Sequence, residues 1–306
     1  MFCLDSTIRQ KGTAVALGYF DGIHMGHKAV LTKATERAKK KNLVPVIMLF
    51  DIHPRRLISG KVPPVLTSEH KKRQVLKKMG FTVVDFNFRE AMDYAPEEFV
   101  EKILIEKLNA KVVTCGYDYH YGKGGKGNSD TLYSELSKRN IEFYSLDPIL
   151  LAGEVISSTK IRELISKGEI EKANTMLGYP FCYDFVVEKG DGLGKTLGFP
   201  TINQFFKKDF IVPRYGVYAS MTVVDGKRYA SVTNVGIRPT FKKDSMRSET
   251  CILDFSGDLY GCNVEVSLLS YLRDEIPFPD AEELRKAIAK DIIKAREIYN
   301  EVIKNG

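Results

Sequence analysis

Between Thr13 and Asp147, short apolar runs rich in β-branched residues alternate with longer stretches whose apolar positions recur every three to four residues. The runs Ala14–Leu17, Val44–Phe50, Thr82–Phe86, Lys111–Cys115 and Glu142–Leu146 predict strands. Helical spacing covers His27–Lys41, Glu69–Met79, Pro96–Leu108 and Thr131–Arg139, with Pro96 placed where a first helical turn accepts proline. Strand and helix in alternation predict an α/β domain around a parallel sheet. Ser158–Lys167 and Glu169–Leu177 then read as two short helices, split by Gly168 and ended by Gly178 and Pro180. Beyond them the period shortens. Phe185–Glu188, Val217–Val224, Arg228–Val235, Thr250–Phe255 and Val264–Leu269 read as strands punctuated by glycine turns, which predicts a small antiparallel β-barrel. One long helix, Asp280 to about Ile303, packs across it. The boundary is set between residues 1–182 and 183–306.

A chain of 306 residues exceeds one ordinary core, which agrees with two domains. The longest early apolar run, Ala14–Leu17, is far too short to cross a bilayer, and no basic segment followed by a signal-length apolar core precedes it. A cytoplasmic protein without a membrane partner is expected. Cys3, Cys115, Cys182, Cys251 and Cys262 are scattered, with no CxxC pair, so neither a disulfide framework nor a zinc site is implied. The formal charge of +7 suits a polyanionic partner, nucleic acid or nucleotide alike. Its cations are dispersed, however, and runs such as Lys39–Lys41 and Lys71–Arg73 read as solvated helix faces. With no RNA-reading aromatic motif, nucleic acid is not expected.

The first strand runs into Gly18-Tyr19-Phe20-Asp21-Gly22-Ile23-His24-Met25-Gly26-His27 and then into a helix. A glycine-rich turn at a helix start binds anions, because unpaired amides and the helix dipole point at the occupant. Gly18, Gly22 and Gly26 allow close backbone approach, and His24 and His27 can donate to a phosphoryl oxygen as charge builds on it. The two histidines also have the spacing of a metal pair, but no further ligand lies at a helpful local distance. The string fits neither a Walker loop nor a dinucleotide fingerprint.

HxGH in this position resembles the signature of the nucleotidyltransferase superfamily, which moves a nucleotidyl group from a nucleoside triphosphate and releases pyrophosphate. The longer string Phe20-Asp21-Gly22-x-His24-x-Gly26-His27, with Ile156-Ser157-Ser158-Thr159-Lys160-Ile161-Arg162 downstream, resembles the FAD synthetase module of bacterial bifunctional riboflavin kinase/FMN adenylyltransferases. That resemblance implies a Rossmann-like N-terminal domain in which His24 and His27 contact the triphosphate while Ser158, Thr159 and Arg162 close on it. Two hydroxyls at a helix start with an arginine one turn on also make a phosphate clamp, or plain helix caps, on physical grounds. Phe50-Asp51-Ile52-His53-Pro54 departs from a family segment that usually has proline before the histidine. Gly116-Tyr117-Asp118-Tyr119-His120-Tyr121-Gly122 stands where the family commonly reads Asp-Phe-Arg-Phe-Gly, so that His120 replaces arginine. Asp118 and Tyr119 become flavin-binding candidates by position, and aromatics there suit either ring stacking or packing.

Gly190-Asp191-Gly192-Leu193-Gly194-Lys195-Thr196-Leu197-Gly198-Phe199-Pro200-Thr201-Ile202-Asn203 forms a second phosphate-wrapping loop, with Gly190, Gly192, Gly194 and Lys195 as nucleotide-binding candidates. Pro200-Thr201-Ile202-Asn203 resembles the PTAN motif of riboflavin kinases, which implies that Thr201 and Asn203 hold the Mg²⁺ of MgATP; hydroxyl and amide oxygens suit that hard cation. The likeness continues through Asn234-Val235-Gly236-Ile237-Arg238-Pro239-Thr240-Phe241 and Glu249-Thr250-Cys251-Ile252-Leu253-Asp254-Phe255. By it Glu249 is the general base for the riboflavin 5′-hydroxyl. Tyr271-Leu272-Arg273-Asp274-Glu275 resembles a segment bordering the flavin, which makes Arg273 a flavin contact. The resemblance spans nearly the whole chain and implies two ATP-using activities: riboflavin to FMN in the C-terminal half, and FMN to FAD in the N-terminal half.

Overall fold

The computed structural model describes residues 5–50, 60, 62–190, 193–238 and 245–305, which divide into two compact units. The first comprises 1–63 and 69–157 and the second 64–68 and 158–306. Asp51, His53, Pro54, Asp191, Gly192 and Pro239–Phe241 of the sequence motifs lie outside the described residues.

The first unit opens with a short helix α1 (Ser6–Lys11) and strand β1 (Thr13–Leu17). Helix α2 (Met25–Lys41), strand β2 (Val44–Phe50), helix α3 (Glu69–Lys78) and strand β3 (Thr82–Phe86) follow. Helix α4 starts at Pro96–Phe99 and continues as a π-helix over Val100–Lys107, leading to β4 (Ala110–Gly116). Helix α5 (Ser129–Ser137) and β5 (Glu142–Leu146) complete the sheet, and a small hairpin β6 (Leu150–Leu151) and β7 (Glu154–Val155) ends the unit.

The sheet order is β3-β2-β1-β4-β5, and every pairing is parallel. Alternation along the strands sorts the core into two layers, since successive side chains point to opposite faces. Val15, Leu17, Val46 and Met48 pack with Phe99, Ile103, Leu132 and Leu136 from α4 and α5. Ala16, Ile47 and Leu49 pack instead with Val30, Leu31, Ala34 and Leu76 from α2 and α3. Helices therefore cover both faces of the sheet. Helix α5 begins two residues earlier than the periodicity predicts, because Asn128 caps it: its side chain accepts the Thr131 amide, and Thr131 Oγ1 accepts the Asn128 amide. Lys72, within the run read as solvated, is 4% exposed, which corrects that expectation at this position.

In the second unit, α6 (Ser158–Lys167) and α7 (Ile170–Leu177) match the predicted pair. Gly168 and the C-cap Gly178 both adopt positive φ. Then come β8 (Cys182–Val186), the short helix α8 (Leu193–Thr196), β9 (Ile202–Phe205), β10 (Gly216–Val224), β11 (Lys227–Arg238), β12 (Ser245–Ile252), β13 (Asn263–Arg273) and α9 (Ala281–Asn305). The antiparallel order β8-β13-β10-β11-β12-β9 curls into a nearly closed barrel, and a bridge between Glu188 and Asn203 brings its two edges together. Strands β8 and β12 sit earlier in the chain than predicted, and β9 was not predicted as a strand.

The displacement of β12 has a physical cause. Its inward positions Ser248 and Thr250 are hydroxyl residues, so an apolar pattern cannot reveal them, yet both are fully buried. Beside buried Val266 and Leu268, the barrel interior holds a polar network in which Ser220 Oγ lies 2.7 Å from Ser231 Oγ and 2.8 Å from Thr233 Oγ1, and Thr233 Oγ1 lies 2.9 Å from Thr250 Oγ1. Gln204 Nε2 donates across the interior to the carbonyls of Phe185 and Val264. A further apolar layer lies outside, where Val217, Ala219, Met221 and Leu269 meet Ile292, Ala295, Ile298 and Val302 of α9.

Candidate functional site

In the first unit, β1 neighbours both β2 and β4, so the chain leaves β1 in one direction and returns on its other side. Ligands bind at this kind of switch point, beyond the carboxyl ends of the strands. Leu17 pairs with Cys115 at those ends, which brings the turn after Leu17 and the loop after Gly116 out side by side.

The turn is tightly specified. Phe20 (φ 53°) and Ile23 (φ 38°) sit in the left-handed region that L-residues rarely adopt, with Gly22 (φ 84°) between them. Burial over-determines it: Phe20, Asp21 and Ile23 are each at most 2% exposed. A Cβ on Gly18 would stand 2.8 Å from the Phe20 ring, so glycine there makes room for the turn's own aromatic. His24 is the N-cap of α2, and its Nδ1 accepts the His27 amide at 3.2 Å. The His24 and His27 rings stack with centroids 3.6 Å apart. A Cβ on Gly26 would press on the His24 ring at 3.2 Å. With Nδ1 of His24 accepting, the neutral ring carries its proton on Nε2, which makes that nitrogen a donor.

On the neighbouring loop, Asp118 is exposed and its Oδ1 lies close over Gly116. Tyr119 packs against the apolar core and stacks on Tyr121, with ring centroids 6.0 Å apart. Burial pushes the Tyr119 hydroxyl pKa upward. His120 Nδ1 lies 3.2 Å from the Gly125 carbonyl, within its own loop. Ser158 and Thr159 open α6 in the second unit, where Arg162 Nε donates to the Pro64 carbonyl at 2.6 Å.

The barrel carries the second constellation. Glu249 pairs in register with Asn234 on one side and with Asn203 on the other. Thr201 precedes Asn203 by two residues and stands immediately before β9. Two loop glycines pack directly on this pair. A Cβ on Gly190 would stand 2.3 Å from Asn203 Nδ2, and one on Gly194 would stand 3.1 Å from Thr201 Oγ1. The Lys195 side chain, like Gly192, is outside the described residues. By the resemblance of Pro200-Thr201-Ile202-Asn203 to riboflavin kinases, Gly190→Ala, which would displace the buried Asn203 amide, is expected to lower riboflavin phosphorylation by roughly tenfold or more with FAD formation from FMN unchanged; steady-state assay of both reactions checks it.

Arg247, which lies in none of the sequence motifs, also belongs here, with motif residues to which no role was assigned. A cleft of about 160 Å³ is lined by Asn234, Gly236, Ile237, Arg247, Glu249 and Glu275. Arg247 Nη2 meets Glu249 Oε1 at 2.5 Å, and the Arg247 side chain is 7% exposed. Glu275 accepts from Asn234 Nδ2 at 2.7 Å and lies so close over Gly236 that a Cβ there would clash. Strand alternation was the available signal for Arg247, two positions before Glu249. Arg273 is held by a fork onto Asp291 of α9, at 3.0 Å from Nε and 2.8 Å from Nη2, and its guanidinium lies 5.5 Å from the Phe278 ring. A larger cleft of about 310 Å³ lies near the start of β11, but Arg296 there is already forked onto Asp254 and Tyr299 donates to the Arg228 carbonyl.

Comparison with known proteins finds two family models along the chain. Residues 6–160 match the FAD synthetase family model and residues 177–299 the riboflavin kinase model. The bifunctional riboflavin kinase/FMN adenylyltransferase of Listeria monocytogenes is 36% identical over 90% of this chain and 89% of its own. The Bacillus subtilis protein of the same description is 33% identical, covering 92% and 91%. A solved structure of a macrolide-efflux protein from Streptococcus pneumoniae matches with a TM-score of 0.83 and 29% identity over 94% of each chain. Among the described residues of this chain no helix is long and apolar enough to cross a membrane. The chain belongs to the bifunctional riboflavin kinase/FMN adenylyltransferase family, with the kinase in its C-terminal part and the FAD-forming activity in its N-terminal part.

Proposed function

We propose that adenylyl transfer is performed by residues 1–182 and phosphoryl transfer by residues 183–306, each in its own polyphosphate cradle, in the cytoplasm. In the first reaction an ionised phosphate oxygen of FMN attacks the α-phosphorus of ATP. The bond from that phosphorus to the bridging oxygen breaks, and pyrophosphate leaves. No proton has to be taken from the nucleophile, so the protein contributes placement and charge. The cap that turns His24 Nε2 into a donor supports a role for His24 on the phosphates, and its stacking places His27 alongside. Gly18, Phe20, Asp21, Gly22 and Gly26 shape the turn, Ser158, Thr159 and Arg162 supply further donors, and Asp118 and Tyr119 border the flavin.

In the second reaction Glu249 takes the proton of the riboflavin 5′-hydroxyl. The freed oxygen attacks the γ-phosphorus in line, the bond from that phosphorus to the β–γ bridging oxygen breaks, and ADP leaves. The observation that carries this reading is the register that sets Glu249 between Asn203 and Asn234. Arg273, anchored on Asp291, borders the flavin. Gly190, Gly192, Gly194 and Lys195 wrap the phosphates.

Thr201 and Asn203 suit Mg²⁺ by the chemistry of their donors, since both offer neutral oxygens, and Gly190 and Gly194 bring the loop backbone directly against the pair. When bound, the ion would neutralise phosphate charge. Riboflavin, ATP and Mg²⁺ together are expected to yield FMN and then FAD by mass spectrometry, and chelation of the metal with EDTA is expected to stop both products. FMN formation undiminished in excess EDTA would contradict the assignment of Thr201 and Asn203.

A further inference from the structure

The second turn of α3 buries an ammonium group that neither cradle accounts for. Lys72 is 4% exposed, and it is one of two buried residues on α3, with Leu76. Its Nζ lies 3.4 Å from the Tyr19 carbonyl and 4.3 Å from the centroid of the Tyr19 ring. Asp21, 2% exposed, adds favourable charge from the same turn, while Glu69 and Arg73 act on it from its own helix with opposite signs. Tyr19 and Asp21 flank Phe20, one of the turn's two positive-φ residues outside glycine.

A buried ammonium is expensive unless it is well paired. Lys72 has three N–H groups, and the contact with the Tyr19 carbonyl is a long one. A methionine would fill the same space without desolvating a charge. Groups kept in this costly condition concentrate where charge is used. The position fits such a use, because the turn that Lys72 grips leads straight to His24 and the N-terminus of α2, the element whose field favours anions.

We infer that Lys72 is a positioning residue for FAD synthesis: its ammonium clamps the Tyr19 carbonyl and ring, holds the Gly18–Ile23 turn in its strained form, and adds positive potential behind the phosphate cradle. This rests on the reading of that turn as the nucleotide site. It differs from a packing role in one respect that can be measured. A lysine retained for packing stabilises the fold, whereas one retained for charge is a burden on the empty protein.

The experiment uses the full chain carrying Lys72→Met or Lys72→Gln, with His27→Ala as a separate control. Both Lys72 variants are expected to lose on the order of 10- to 100-fold in kcat for FAD formation from FMN, and riboflavin phosphorylation is expected to stay at the wild-type rate. The unfolding midpoint of Lys72→Met should equal or exceed that of the wild type at neutral pH. Burial lowers the Lys72 pKa from 10.5, so the folded wild type sheds its proton before the unfolded chain does. Wild-type stability therefore gains on the Met variant as pH rises toward 10.5, and the gap closes. Wild-type FAD formation in either folded variant overturns the inference. So does activity lost together with a lowered midpoint in both variants, or failure of both to fold, since each marks Lys72 as packing. If His27→Ala itself keeps full FAD formation, the reading of the turn has failed instead.

Discussion

Glu249→Gln is expected to lower riboflavin phosphorylation by roughly 10²–10⁴-fold, the range of a lost general base. FAD formation from supplied FMN should continue at the wild-type rate. Glutamine keeps the shape of the side chain and loses only its capacity to take a proton at neutral pH. It also leaves the buried Arg247 without the carboxylate it meets in the wild type. For that reason the midpoint of the barrel's unfolding should be recorded beside the rate. A loss of phosphorylation with intact unfolding behaviour assigns the effect to chemistry. Steady-state kinetics with each flavin as sole acceptor measures both halves, and undiminished phosphorylation would remove Glu249 from the mechanism.

His27→Ala is expected to act on the other half alone. Loss of one donor to the charge developing on a phosphoryl oxygen typically costs on the order of 10²–10³-fold in rate, and FAD formation should fall by about that factor. The His27 backbone amide, which His24 Nδ1 caps, survives the substitution. The start of α2 is thereby kept, and only the imidazole stacked on His24 is removed. The reading requires riboflavin phosphorylation to be unaffected. Wild-type FAD formation in this variant would leave the turn without its proposed role.

Short, largely apolar runs marked all five strands of the parallel sheet, most fully in the central β1 and β2, because strands covered on both faces need apolar residues at nearly every position. The Gly18–His27 string was legible for a related reason. A strand ending in a turn that enters a helix leaves little choice of geometry, and its glycines and histidines sit where that geometry needs them. The barrel was harder to read. Ser220 and Thr222, Ser231 and Thr233, and Ser248 and Thr250 repeat at a spacing of two on three adjacent strands, but as hydroxyl residues they resemble surface positions. Their burial depends on hydrogen bonds between strands, which no local pattern displays. Lys72 misleads in the same way, since a lysine between Lys71 and Arg73 reads as solvent-facing and only the neighbouring turn makes it buried. Asn203 faces Glu249 through cross-strand register and was visible through its motif, whereas Arg247, on the strand of Glu249 itself, lies in no motif, and the bond from Asn234 to Glu275 spans 41 residues of chain.

On the proposed reading, one chain holds two separate polyphosphate sites joined only by free FMN. Mixing Glu249→Gln with His27→Ala tests it most directly, using riboflavin, ATP and Mg²⁺ and following FAD by mass spectrometry. Each variant alone should make little or no FAD, the first for want of FMN and the second for want of adenylyl transfer, while the mixture should make it as FMN released by the second is taken up by the first. A folded variant lacking both activities, or a mixture no more productive than its components, would contradict two independent sites.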